Sequence, residues 1–418
     1  MLYVVLFSLY LFLAGFFIWK GAKNANHAEI TILFLIAFLL KVLIGCLYGK
    51  FYSHQIPNAD TWNYFYGGLK LNQEHWVSVF NVDSSKNYNI LSTQSYFNYY
   101  RYLIIDMLSG ACSLMTGGRY YCNVIIFNFI TFLGLLKLYR FLININPHYK
   151  AAFFLVLFFF PPFVFWTSGF HRDGLCMTFL GIYLYAMQNL MKFTKPKYIM
   201  AVMISIAFML FLRSFWGFSA IIVGILWFIS TKMKRIKPLV VFSLGAIFLT
   251  GLFALSALAP PNLNFAKSLV DKQHAFLGLQ GDSELLVTRL TLNLKVYFEA
   301  IFDGFNHLLL RPYPSEIGHS PLYFLTFLEN LFVWILFVLA IYFRINRKST
   351  IVLYKPENNV LLFLVIINYA IIGLTVPFLG AIVRYKAPFE LLLILLLVQY
   401  FPQQFLRKLV PNRFRINI

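Results

Sequence analysis

Apolar runs recur along this chain, most of them about the 17–25 residues that an α-helix needs to cross the hydrocarbon core of a bilayer. They fall roughly at 2–19, 29–49, 121–142, 151–168, 174–191, 198–212, 214–231, 239–258, 321–343, 359–378 and 387–401. Inside hydrocarbon every backbone amide must bond within its own segment, so such runs are helices. The reading is an all-α integral membrane protein with about eleven transmembrane helices, in a range of 10–13, forming a single polytopic domain over 1–418. Composition agrees: 60% of residues are hydrophobic and only 12% charged, against about a quarter charged in soluble domains. The N-terminal run lacks a basic leader and a small-residue cleavage site, so it reads as a retained helix rather than a signal peptide.

Charge placement orients the spans. With eleven spans and the N-terminus outside, the short cytoplasmic segments and C-terminus collect 20 of the chain's 35 lysines and arginines, as the positive-inside bias requires. Counting 102–117 (YLIIDMLSGACSLMTG) as a span would move every later basic loop to the other side. That segment is short and interrupted by Asp106, and it reads as an interfacial or re-entrant helix. Two long segments, 50–120 and 259–320, are then external, and their aromatic content suits helices lying at the membrane interface. The net charge of +20 sits in short segments between apolar runs and forms no basic face, which excludes nucleic acid as a partner. The four cysteines, Cys46, Cys112, Cys122 and Cys176, show no metal-ligand spacing.

Candidate site residues gather at one depth. The turn FWTSGFHRDGL carries His171, Arg172 and Asp173; FMLFLRSFWGF breaks at Arg213; LLLRPYPSE carries Arg311 and Glu316; the last external turn, GAIVRYKAP, carries Arg384 and Lys386. Guanidinium groups near hydrocarbon are costly without anionic partners or water. Their planar forks match phosphate and diphosphate oxygens. The pattern fits a ligand with an apolar tail and a phosphate head, so membrane lipid and a lipid-linked substrate are the expected partners. Asp60, in PNADTWNYFYGG, is a helix cap or turn residue on the local reading and a general base on the functional one. Glu316 and His171 are further candidates for acid–base work, and Trp62 and Tyr64 for stacking on sugar rings. Lys41, in mid-span, has a stem long enough to reach the interface and is left out of the site. Pro161-Pro162 kinks the fourth span. No G-x-S-x-G or HExxH motif is present.

These segments resemble bacterial multi-spanning proteins of surface-polysaccharide assembly: the GT-C-type membrane glycosyltransferases and the Wzy/EpsG-type polysaccharide polymerases. The likeness lies in layout and in short motifs. In the GT-C type an acidic residue of the first large outer loop is catalytic, and Asp60 matches that place, although here the loop follows the second span. The EpsG-like polymerases carry an S-G-x-R-Q turn. Ser168, Gly169 and Arg172 fill a comparable stretch, with two residues between Gly and Arg and with Asp173 in place of Gln. The resemblance implies a polyprenyl-phosphate- or diphosphate-linked saccharide donor, bound by Arg172, Arg213, Arg311 and Arg384, with Asp60 deprotonating an acceptor. It places the chain in the cytoplasmic membrane, with the N-terminus outside and the C-terminus cytoplasmic. The sequence names no cofactor, and a divalent cation is compatible with the site. Two alternatives stand beside it: a transporter or flippase of lipid-linked saccharide, which would need the basic cavity but no base, and a cysteine protease built on GACS around Cys112, where Leu114 replaces the usual glycine.

Overall fold

The computed structural model describes residues 2–23, 28–55, 59–73, 93–260, 264–279, 283–319, 321–347 and 352–409. Among these the chain is helical throughout, with no β-strand beyond an isolated bridge between Glu284 and Phe378. In order the helices are α1 (Leu2–Lys23), α2 (Ala28–Phe51), α3 (Asp60–Gln73), α4 (Thr93–Thr116), α5 (Tyr120–Ile145), α6 (Lys150–Phe159), α7 (Pro161–Ser168), α8 (Arg172–Lys192) and α9 (Pro196–Leu212). They continue with α10 (Ser214–Lys232), α11 (Pro238–Ser256), α12 (Phe265–Leu277), α13 (Leu294–Leu309), α14 (Pro321–Arg347), α15 (Pro356–Thr375), α16 (Leu379–Leu397) and α17 (Gln403–Leu409). Lys348, Arg413 and Arg415, which belong to the basic cytoplasmic pattern, lie outside the described residues.

Among the described residues seven helices are long and apolar enough to cross a membrane: α1, α2, α5, α10, α11, α14 and α15. The number is eight if the α6–α7 pair is one broken span. The break falls at Phe160, and Pro161 and Pro162 open α7, where the missing amide N–H of proline is harmless. The expected break at Arg213 is present, with extended backbone between α9 and α10. One expectation is corrected: GAIVRYKAP is no turn. Residues 379–397 are one helix that runs through Arg384, Lys386 and Pro388.

The described residues divide into two compact units, the first holding 1–144 and 157–217 and the second 145–156 and 218–411. In the first, α5 and α8 approach so closely that a Cβ at Gly134 would stand 2.4 Å from the Thr178 backbone. Phe34, Phe132, Tyr139 and Phe158 interlock edge-on beside them. In the second, Gly304 of α13 and Gly373 of α15 meet backbone to backbone. Gln273 of α12 ties this region: its amide donates to the carbonyls of Thr288 (3.0 Å) and Leu374 (2.9 Å), and its oxygen accepts from the Leu290 amide. Such bonds satisfy buried backbone groups that a loop cannot satisfy itself.

Candidate functional site

In the first unit the site grows from the turn between α7 and α8. Three residues of α2 hold that turn, spaced along one helical stripe. Lys41 donates to the Thr167 carbonyl (2.9 Å) and bonds the Thr167 and Ser168 hydroxyls, both at 3.2 Å. A cation there complements the C-terminal end of α7, so Lys41 is a buried anchor rather than a side chain reaching outward. Gly45 leaves room for the Ser168 carbonyl, which a Cβ would meet at 2.5 Å. Tyr48 hydrogen-bonds His171 Nε2 through its hydroxyl at 2.6 Å and packs on Gly169. His171 is buried and also meets the Tyr64 ring edge-on. Its place is that of a support for the turn.

The turn sets Arg172 and Asp173 at the start of α8. An aspartate suits a helix N-terminus, and an arginine is disfavoured there. Asp173 binds Arg213 Nε at 2.6 Å, with side chains 2% and 8% exposed respectively. Arg213, expected to grip a ligand phosphate, is thus committed to an internal ion pair.

Arg172 is half-buried, and its guanidinium lies 4.9 Å from the Tyr102 ring centre and 5.8 Å from that of Tyr64. Aromatic faces attract such a cation. Asp106 of α4 is a carboxylate in its field. Burial pushes the Asp106 carboxyl up to about 7, and the Arg172 charge pulls against that rise. Asp106 sits against Gly67 of α3, where a Cβ would come within 2.7 Å of its carboxyl carbon; the next residue, Gly68, would put one 2.4 Å from the Gly110 amide. These two glycines let α3 and α4 touch.

Asp60 is the first residue of α3. The cap position belongs to Ala59, whose carbonyl accepts from the Trp62 and Asn63 amides at 3.0 and 2.9 Å. Four residues on, Tyr64 occupies the same helix face. Asp60 and Tyr64 on α3, and Tyr102 and Asp106 on α4, thus form two i, i+4 pairs whose tyrosines flank Arg172.

The expected sugar-stacking residues are used otherwise. Tyr64 is buried against Arg172 and His171. Trp62 donates its indole N–H to the Gly49 carbonyl at 3.0 Å and stacks on Tyr120 at 3.9 Å.

The second unit holds the remaining candidates. Glu316 accepts the Tyr313 amide at 2.8 Å and pairs with Arg311 at 3.7 Å, closing the RPYPSE turn. That use of both oxygens is structural. Burial and the Arg311 charge lower the pKa of neighbouring His307. Arg384 is half-buried beside the Tyr385 ring. Lys386, expected to face a ligand, is enclosed by Glu329, Glu390 and Asn330.

Sequence reading left Asp106, Tyr102, Glu329 and Glu390 out of the site. Only the 102–106 spacing on a tyrosine-rich helix offered a signal for the first two. Among the described residues no group of three or more His, Cys, Asp or Glu side chains could hold a metal ion.

Fold and site together define a class: a chain whose described residues are helical and include seven membrane-length apolar helices, consistent with a multi-pass membrane protein, carrying buried charge at helix ends. Comparison with protein-family models, with curated proteins and with solved structures finds no match in any of the three.

Proposed function

We propose that the chain is a membrane glycosyltransferase that takes polyprenyl-phosphate- or diphosphate-linked saccharide donors at the outer face of the bacterial cytoplasmic membrane, in surface polysaccharide or glycoconjugate assembly. In this reading eleven helices span the membrane, the N-terminus is outside and the C-terminus cytoplasmic, and the α7–α8 turn with α3 and α4 lies at the outer boundary. The observation that carries it is the Arg172 group: a guanidinium at the wrong end of a helix dipole, walled by two tyrosines and in the field of the buried Asp106 carboxyl.

The chemistry follows from those parts. The acceptor hydroxyl oxygen forms a bond to the anomeric carbon as the bond from that carbon to the phosphate oxygen breaks. The electron pair leaves with the lipid phosphate, whose growing charge Arg172 stabilises. The hydroxyl proton passes to a carboxylate. Asp106 suits that task, because a base works best with a pKa near the working pH; Asp60, on the Tyr64 face of α3, is the second candidate. Arg213, His171 and Lys41 position the turn.

The test is the length and sidedness of lipid-linked saccharides in membranes carrying Arg172→Ala or Asp106→Asn at matched expression. The reading expects unextended precursor to accumulate on the outer face. Precursor held on the cytoplasmic face would make the protein a transporter of lipid-linked saccharide instead, and unchanged products in both variants would refute the site.

A further inference from the structure

The second unit contains a group of ionisable side chains that glycosyl transfer does not use. The Lys386 ammonium of α16 lies 3.6 Å from Glu390 Oε1 on the same helix and 3.8 Å from Glu329 Oε1 of α14. It also donates to Asn330 Oδ1, and the Asn330 amide is anchored on the Arg311 carbonyl at 2.6 Å. The Lys386, Glu390 and Glu329 side chains are 2%, 3% and 7% exposed. Tyr369 of α15, also buried, is the other titratable group facing both carboxyls.

One ammonium and two carboxylates sum to a negative charge buried where α14, a helix of membrane length, meets α16. An uncompensated charge there is strongly disfavoured. The contacts point the same way. The Glu329 and Glu390 carboxyl groups converge on one ammonium, each within 4 Å of it. Glu390 Oε2 is buried and receives no bond from any donor among the described residues. Ionised carboxylates only accept, so a bond between two of them requires a proton on one. Carboxyl pairs that share a site hold such a proton because both cannot ionise side by side.

We propose that Glu329 and Glu390 form a proton-binding site, holding one exchangeable proton between them with Lys386 as the fixed counter-charge. Loaded, the site is neutral and ties α14 to α16 by a carboxyl–carboxylate hydrogen bond. Emptied, it sets two negative charges against each other across that helix contact. Protonation is thus coupled to how α14 and α16 pack. This inference does not rest on the glycosyltransferase reading and would hold equally for a transporter.

Infrared difference spectroscopy of the full-length protein in lipid nanodiscs tests it. Subtracting Glu329→Gln or Glu390→Gln from the wild type at neutral pH isolates the pair from other acids such as Asp106. Both subtractions should leave the carbonyl stretch of one protonated carboxylic acid, shifted in heavy water and lost at alkaline pH. Each single variant should keep its melting temperature, because it retains one carboxylate opposite Lys386. Absence of the band from either subtraction would overturn the proposal. So would its loss on adding sodium or potassium at neutral pH, which would make the occupant a metal cation.

Discussion

Replacing Arg213 with methionine removes the partner of a carboxylate that is 2% exposed. Taking away one member of a buried ion pair costs about 3–5 kcal/mol, because the charge left behind has lost its compensation. Here part of that cost is offset. Asp173 lies in the first turn of α8, where the helix dipole favours a negative charge by about 0.3–1 kcal/mol, up to about 2 in partly buried geometries. The net loss expected for Arg213→Met is therefore about 2–4 kcal/mol. Adding Asp173→Asn removes the remaining charge while keeping a polar group at the helix start, and the double variant should recover most of the loss. The assay is a reversible denaturation titration in mixed micelles on both single variants and the pair. A strong non-additive recovery is the expected signature, since partners in one ion pair do not act independently. Additive losses, or a loss for Arg213→Met below about 1 kcal/mol, the range of an exposed pair, would refute the assignment of Arg213 to the fold.

Other outcomes follow from the same geometry. If Asp106 is the base, activity rises with pH through about 7, and Asp106→Asn abolishes that limb of the profile. Because burial raises its folded pKa above the unfolded value near 3.9, the wild type should also lose stability as pH climbs from about 4 to about 7, a slope the variant lacks. Gly68→Val sets a side chain into the Gly110 backbone and should part α3 from α4, read as new protease cleavage in α3 and loss of activity. Lys41→Met strips the Thr167 carbonyl and two hydroxyls of their donor; leaving buried groups unpaired costs about 1–3 kcal/mol, measured by the same denaturation titration.

The long apolar helices were legible because hydropathy over about 20 residues needs no knowledge of neighbours. α1, α2, α5, α10, α11, α14 and α15 all emerge that way. The 102–117 segment extends back to Thr93 as α4; its tyrosine-rich first half carries no apolar signal to mark it. The α16 helix was misjudged at its start. Arg384 and Lys386 look like a solvated turn in isolation, yet Lys386 is neutralised by Glu329 from another helix and Glu390 from its own. The site was partly legible: Arg172, Asp173 and Arg213 stand out as charges beside apolar runs. What those charges pair with is settled by contacts across long sequence separations, which is why Arg213 read as a ligand group and Asp106 as a mere interruption.

The most direct test of the central claim is turnover by the purified protein in proteoliposomes, supplied with a polyprenyl-diphosphate-linked saccharide and a saccharide acceptor. The account predicts an extended product whose formation falls at least 100-fold in Arg172→Ala, the order that loss of one transition-state contact produces, while the folded fraction is unchanged. No product from any lipid-linked donor, or full turnover by Arg172→Ala, would contradict it.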